Sequence, residues 1–246
     1  MNHFLRTCII AIALLAGTIP IWPSEHQKFT RQLWQHAEPT YLAALKHPYL
    51  AGLGNGTLPK SKFRYYLVQD TLYLRKFGQA LSLLAAKAPH EEWTLTLNQH
   101  AMDTLKAERE LHADILATAG MTADEIARSP MAPLNVAYTN HLIATVSQRP
   151  FIEGLAAVLP CYWVYLEAGK HLAKAGSPDP EYARWIKQYA GEAFDEPVQA
   201  VLRIMDTVAA EESEAARQRA MAIYQRSTRY EYLFWDMAWR EEQWLP

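Results

Sequence analysis

From Gln27 onward the apolar residues of this chain recur at three- and four-residue spacing, and no stretch alternates apolar with polar residues as a half-buried strand does. Stripes of that period can be buried only by packing helix against helix, so the fold class is all-α. Punctuation by Pro, Gly and Ser divides the pattern. The spacing predicts a first helix over about 28–46, with a bend at Pro39. A break follows at AGLGNGTLPKSKF, with Pro59 near the next start. A long helix then runs to about residue 88, and another from Pro89 to a glycine stop at Gly120. Thr122 and Glu125 have capping-box spacing for a short helix. Further helices are predicted over about 133–146, 150–174, 181–189, 193–210 and 213–244. Residues 27–246 thus read as a single helical domain of eight to nine helices, without an internal repeat or linker.

Residues 1–26 read differently. One Arg precedes an apolar run from Cys8 to Trp22, followed by polar residues. At about fifteen residues the run is short for a bilayer span of about 20 and resembles a signal peptide. Export is the expectation, with a cytoplasmic chain as the alternative. The whole sequence has 24 Lys plus Arg against 26 Asp plus Glu. This balance gives no field that would attract nucleic acid and leaves a small molecule as the expected partner. Two cysteines, Cys8 and Cys161, are too few for a disulfide scaffold or a CxxC zinc site.

Three reactive side chains interrupt apolar helical faces: Asp70 in YYLVQDTLYL, Cys161 in LPCYWVYLEAG and Glu231 in YEYLFWDMAW. Each has a ring one turn away on the same face, namely Tyr73, Tyr165 and Phe234. A buried carboxylate is costly unless it is paired or protonated, so two of them indicate a polar cluster or an active site. Structural alternatives stay open at this point. Asp70 can pair with Arg64 or Arg75, Glu231 with Arg229 or Arg240, and Cys161 can pack as a small hydrophobe. Pro160 removes a helical hydrogen bond just before Cys161. His100, Glu108 and His112 share a helix, but the ExxH spacing of di-iron bundles is absent, because Leu111 stands three residues after Glu108. His36 alone does not specify a haem ligand, and GNGTLP lacks the phosphate-loop pattern.

Taken together, GNGTLP, YYLVQDTLYL, LPCYWVYLEAG and YEYLFWDMAWREEQW resemble, in order and at compatible separations, the signature blocks of the TenA or thiaminase II family, in its cysteine-containing branch. The resemblance runs from about Gln27 to Trp244. It implies a heme-oxygenase-like helical fold without haem, usually a homotetramer. It also implies hydrolysis of 4-amino-5-aminomethyl-2-methylpyrimidine to the hydroxymethyl compound, with slower cleavage of thiamine, in thiamine salvage and without metal or organic cofactor. By the same resemblance Cys161 is the nucleophile, Glu231 the acid/base carboxyl and Asp70 the ring-binding carboxyl. The aromatic pocket maps to Tyr73, Tyr138, Tyr165, Tyr189 and Phe234. Leu72 stands where many members have a second tyrosine, and Gly-Glu-Ala follows Tyr189 where Gly-Asp-Trp is more usual. Two rival functions remain: a metal- or haem-dependent oxidase on the same scaffold, marked by bound iron, and a non-catalytic pyrimidine or thiamine binder, marked by binding without turnover.

Overall fold

The computed structural model describes residues 28–108 and 121–245, and all its regular elements are helical. They are α1 (Phe29–Leu45), α2 (Pro48–Asn55), α3 (Lys60–Ala85), α4 (Glu91–Asp103) continued by a π-helical turn (Thr104–Glu108), α5 (Ala123–Arg128), α6 (Pro133–Gln148), α7 (Phe151–Ala173), α8 (Pro180–Ala190), α9 (Glu192–Glu211) and α10 (Glu214–Arg240). The apolar leader, the predicted stop at Gly120 and His112 lie outside the described residues.

Periodicity misplaces two features. The segment read as a plain break opens inside α2, whose eight residues are too few for a period of 3.6 to stand out. Its ends are nonetheless specified locally. His47 accepts the Tyr49 N–H through Nδ1 at 3.1 Å, Pro48 opens the helix, and Gly56 closes it at φ 78°, a left-handed conformation that suits glycine. The last helix stops at Arg240 rather than near Trp244, because Glu241 adopts φ 49°. Trp244 then leaves the helix axis and donates its indole N–H to Met131 O at 2.9 Å. The Thr122–Glu125 capping box forms as its spacing predicts, with both reciprocal bonds present.

Helices α3, α7 and α10 form the middle of the domain. The α7–α10 contact is the most extensive, α1, α2 and α6 flank α10, and α8 and α9 cover α7. By length and composition α7 could cross a bilayer, but 83% of its most apolar window is buried inside the protein. An all-round apolar helix of this kind is a core helix. Its neighbours bring large rings, including the fully buried Trp185, Trp235, Tyr66 and Phe234, and burial of each contributes roughly 1.5–3 kcal/mol.

One close approach positions the site. A Cβ built on Gly169 would lie 2.7 Å from the Tyr189 carbonyl carbon and 2.9 Å from Ala190 N, so α7 and α8 touch backbone to backbone there. Neither atom can swing aside as a side-chain tip would. Gly169→Ala is therefore expected to push Tyr189 away from Tyr165 and to cost about 1–3 kcal/mol through overpacking. Thermal unfolding should show a fall of roughly 2–4 °C per kcal/mol. An unchanged melting temperature would mean that the two helices separate freely.

Candidate active site

The three interrupted helical faces meet inside the bundle. Asp70 on α3 and Cys161 on α7 open onto one cavity of about 1260 Å³, together with Tyr165 of α7 and Tyr189 of α8. Glu231 on α10 is 2% exposed and is not on the cavity wall; it lies one layer deeper, with Tyr73, Tyr138 and Phe234. The eight residues singled out in the sequence therefore divide into a wall (Asp70, Cys161, Tyr165, Tyr189) and a buried backing layer (Tyr73, Tyr138, Glu231, Phe234).

Hydrogen bonds and charge connect the two layers. Tyr138 donates to Glu231 Oε1 at 2.5 Å. Tyr73 packs on Tyr138 at 5.2 Å between ring centroids and on Phe234 at 5.4 Å, and its hydroxyl interacts with both the Cys161 thiol and Glu231. Tyr165 packs on Tyr189 at 5.1 Å and on Trp235 at 5.3 Å. The Tyr66 hydroxyl lies 3.3 Å from that of Tyr165 and donates to Asp70. Neither carboxyl lies at the surface: Asp70 is 4% exposed, Glu231 2%, and Arg240 pairs with Asp236.

Burial decides the proton affinity of both carboxyls. It pushes Asp70 up to about 7 against the opposing pull of the Tyr66 hydrogen bond. Glu231 is pushed up to about 8, first by burial and further by the charge of Asp70, while the Tyr138 bond pulls the other way. At neutral pH Glu231 is thus a carboxylic acid in an aromatic enclosure, suited to giving and taking a proton. Groups that fold against it are Tyr73 and Asp70 from α3, Tyr138 from α6, Tyr165 from α7 and Tyr224 from its own helix.

Some participants went unread in the sequence. Tyr66 lies four residues before Asp70, a spacing that places both on one helical face and could have identified it. Trp185 packs on Tyr66, Tyr165 and Tyr189. Its role depends on how α8 docks, which no local spacing encodes. His100 lines the outer cavity, where its Nδ1 lies 3.3 Å from the Tyr162 hydroxyl. Among the described residues no three His, Cys, Asp or Glu side chains converge as a metal-holding group. Both departures in the motifs are resolved: Leu72 is buried, while Gly191, Glu192 and Ala193 line the outer cavity.

An all-α bundle in which a cysteine thiol, a carboxyl and aromatic rings line one cavity, with a second buried carboxyl one layer behind, has the form of a small-molecule site. The chain belongs to the TENA/THI-4/PQQC family, whose profile matches residues 34–241. It is 34% identical over 217 residues to the aminopyrimidine aminohydrolase of Bacillus subtilis, covering 88% of this chain and 92% of that one. Identity to the protein of the same name from Halalkalibacterium halodurans is 32% over 218 residues, covering 88% and 97%. The TenA homologue from P. horikoshii superposes with a TM-score of 0.81 at 28% identity, covering 87% of this chain and 99% of that one. A Shewanella denitrificans domain with a heme oxygenase-like fold has a TM-score of 0.68 at 13% identity, covering 86% and 92%, a likeness of fold alone.

Proposed function

We propose that this protein is an aminopyrimidine aminohydrolase of thiamine salvage, with Cys161 as nucleophile. It hydrolyses the exocyclic carbon–nitrogen bond of 4-amino-5-aminomethyl-2-methylpyrimidine and, more slowly, cleaves thiamine. The observation that carries this reading is the meeting of Cys161 and Asp70 on one aromatic cavity wall, in a chain whose relatives carry that name.

The chemistry needs each of these groups. An amine is a poor leaving group, and an intact aromatic ring gives the exocyclic carbon little help. Addition of the Cys161 thiolate to the ring carbon next to C5 creates an enamine-like system that can expel the amine. Water then adds to the exocyclic methylene, and the thiolate leaves as the ring is restored. Glu231 supplies the proton that the departing nitrogen takes and accepts one from the incoming water. Because it lies behind the wall, it exchanges protons with the substrate through the hydroxyls beside it: Tyr138 bonds it, and Tyr73 interacts with both it and the Cys161 thiol. Asp70 holds the aminopyrimidine edge, and the rings of Tyr165 and Tyr189 enclose its faces.

The cavity exceeds the roughly 300–1,000 Å³ of ordinary ligand pockets, so a single pyrimidine fills only its deep end. The outer part leaves space for the leaving group, which supports thiamine as a second substrate. Purified protein incubated with either compound should release hydroxymethylpyrimidine together with one equivalent of ammonia or of the thiazole, faster from the aminomethyl compound. Binding of both without product would instead identify a non-catalytic binder, and iron-dependent turnover an oxidase.

Assembly as a homotetramer belongs to the same proposal. Light scattering on the purified chain measures it. Export is proposed on the apolar run between Cys8 and Trp22, and the amino terminus of the protein isolated from the cell envelope tests it.

A further inference from the structure

We infer that Gln69 and Asn135 form an amide clamp that sets the position of Asp70 relative to the Tyr138–Glu231 pair, and that Glu242 latches this clamp from beyond α10. The inference rests on the aminohydrolase reading above and adds positioning residues to it.

The orientation of both amides follows from the backbone. Ala132 N–H donates to Gln69 Oε1 at 2.9 Å, which leaves Gln69 Nε2 to donate to Pro130 O at 3.0 Å. Asn135 therefore turns its NH2 group inward, donating to Gln69 O at 2.8 Å and to Gln69 Oε1 at 3.0 Å. Asn135 is fully buried, and its Oδ1 accepts no hydrogen bond from any described residue. An apolar side chain would lose the two bonds Asn135 donates but also this unmet acceptor, so the net gain in fold stability from an asparagine is small.

Position accounts for the asparagine. Gln69 immediately precedes Asp70 on α3, and Asn135 lies one turn before Tyr138 on α6, the residue whose hydroxyl bonds Glu231. The clamp thus joins the turn that carries the ring-binding carboxyl to the turn that carries the partner of the acid/base carboxyl. On the far side, Glu242 Oε2 accepts the Leu134 N–H at 3.0 Å, an otherwise orphaned donor in the first turn of α6. Tyr65 donates to Glu242 O at 2.5 Å and ties the same segment back to α3. Catalytic geometry tolerates displacement of less than about 1 Å before rates fall steeply.

The test separates position from stability. Asn135→Leu fills the space without donors and should leave the melting temperature nearly unchanged, while kcat falls by about tenfold or more and KM stays within about threefold. The alkaline limb of its pH profile should move upward, because the Tyr138 hydrogen bond that lowers the proton affinity of Glu231 is loosened. Glu242→Ala should shift kinetics in the same direction, and Glu242→Gln, which keeps the acceptor, should restore wild-type values. If Asn135→Leu does not fold, the two Glu242 variants decide the matter. Kinetics and pH profiles within about twofold of wild type in the variants that fold would overturn the clamp alone. A wild-type chain without aminopyrimidine turnover would overturn both the clamp and the reading beneath it.

Discussion

Cys161→Ser is expected to lower kcat by about 10³-fold or more while leaving the fold and most of the ligand affinity in place. The reason lies in the two demands the ring makes on its nucleophile. Addition to an aromatic carbon needs a strong nucleophile at neutral pH, and release at the end needs a good leaving group. A thiolate meets both, whereas a serine alkoxide is hard to form and hard to expel. Binding should survive because Asp70, Tyr165 and Tyr189 on the cavity wall are untouched, and Cys161 is only partly buried, so one hydroxyl in place of a thiol disturbs little packing. Single-turnover assays with equilibrium titration of the aminopyrimidine separate the two effects. Saturating substrate should also protect Cys161 from alkylation by iodoacetamide. Wild-type turnover in the serine variant would remove the covalent mechanism and leave direct attack by water.

The legibility of this site in the sequence followed the range of the forces involved. Asp70, Cys161 and Glu231 stood out because each breaks an apolar stripe, and a stripe is a local pattern. Tyr66 was equally readable through its spacing from Asp70, but another tyrosine in a tyrosine-rich segment carries little contrast. The division into wall and backing layer was not readable. Asp70 and Glu231 have the same appearance in sequence, a carboxylate one turn from a ring, and only the docking of α10 behind α3 and α7 places one on the cavity and the other behind it. Trp185 likewise gains its contacts through the Gly169–Tyr189 approach. Helix existence was legible almost throughout. The exceptions, α2 and the early end of α10, were decided by His47, Gly56 and Glu241, single residues whose caps act below the length of a periodicity window.

The two carboxyls should part company when each is made an amide. Glu231→Gln keeps its size and can still meet the Tyr138 hydroxyl, but it has no proton to exchange, so kcat should fall by about 10²–10⁴ with little change in binding. Asp70→Asn alters a group on the wall itself and should weaken both kcat and affinity. In wild type, activity should fall at alkaline pH as Glu231, with its proton affinity near 8, loses the proton the amine requires; in Glu231→Gln this limb should disappear. Wild-type stability should fall over the same alkaline range. Both carboxyls bind their protons more tightly in the folded chain than in the unfolded one, at about 7 and 8 against ordinary values of 3.8 and 4.5. Between those limits the folded state holds the extra protons, so wild-type stability is full below about pH 4 and declines as pH rises through 8. An amide at position 231 removes that decline for its own site. Glu231→Gln should therefore unfold at a higher temperature than wild type at pH 9 and at nearly the same temperature at pH 4. A variant no more stable than wild type at pH 9, with its alkaline limb intact, would show that Glu231 is not the proton-holding acid of this site.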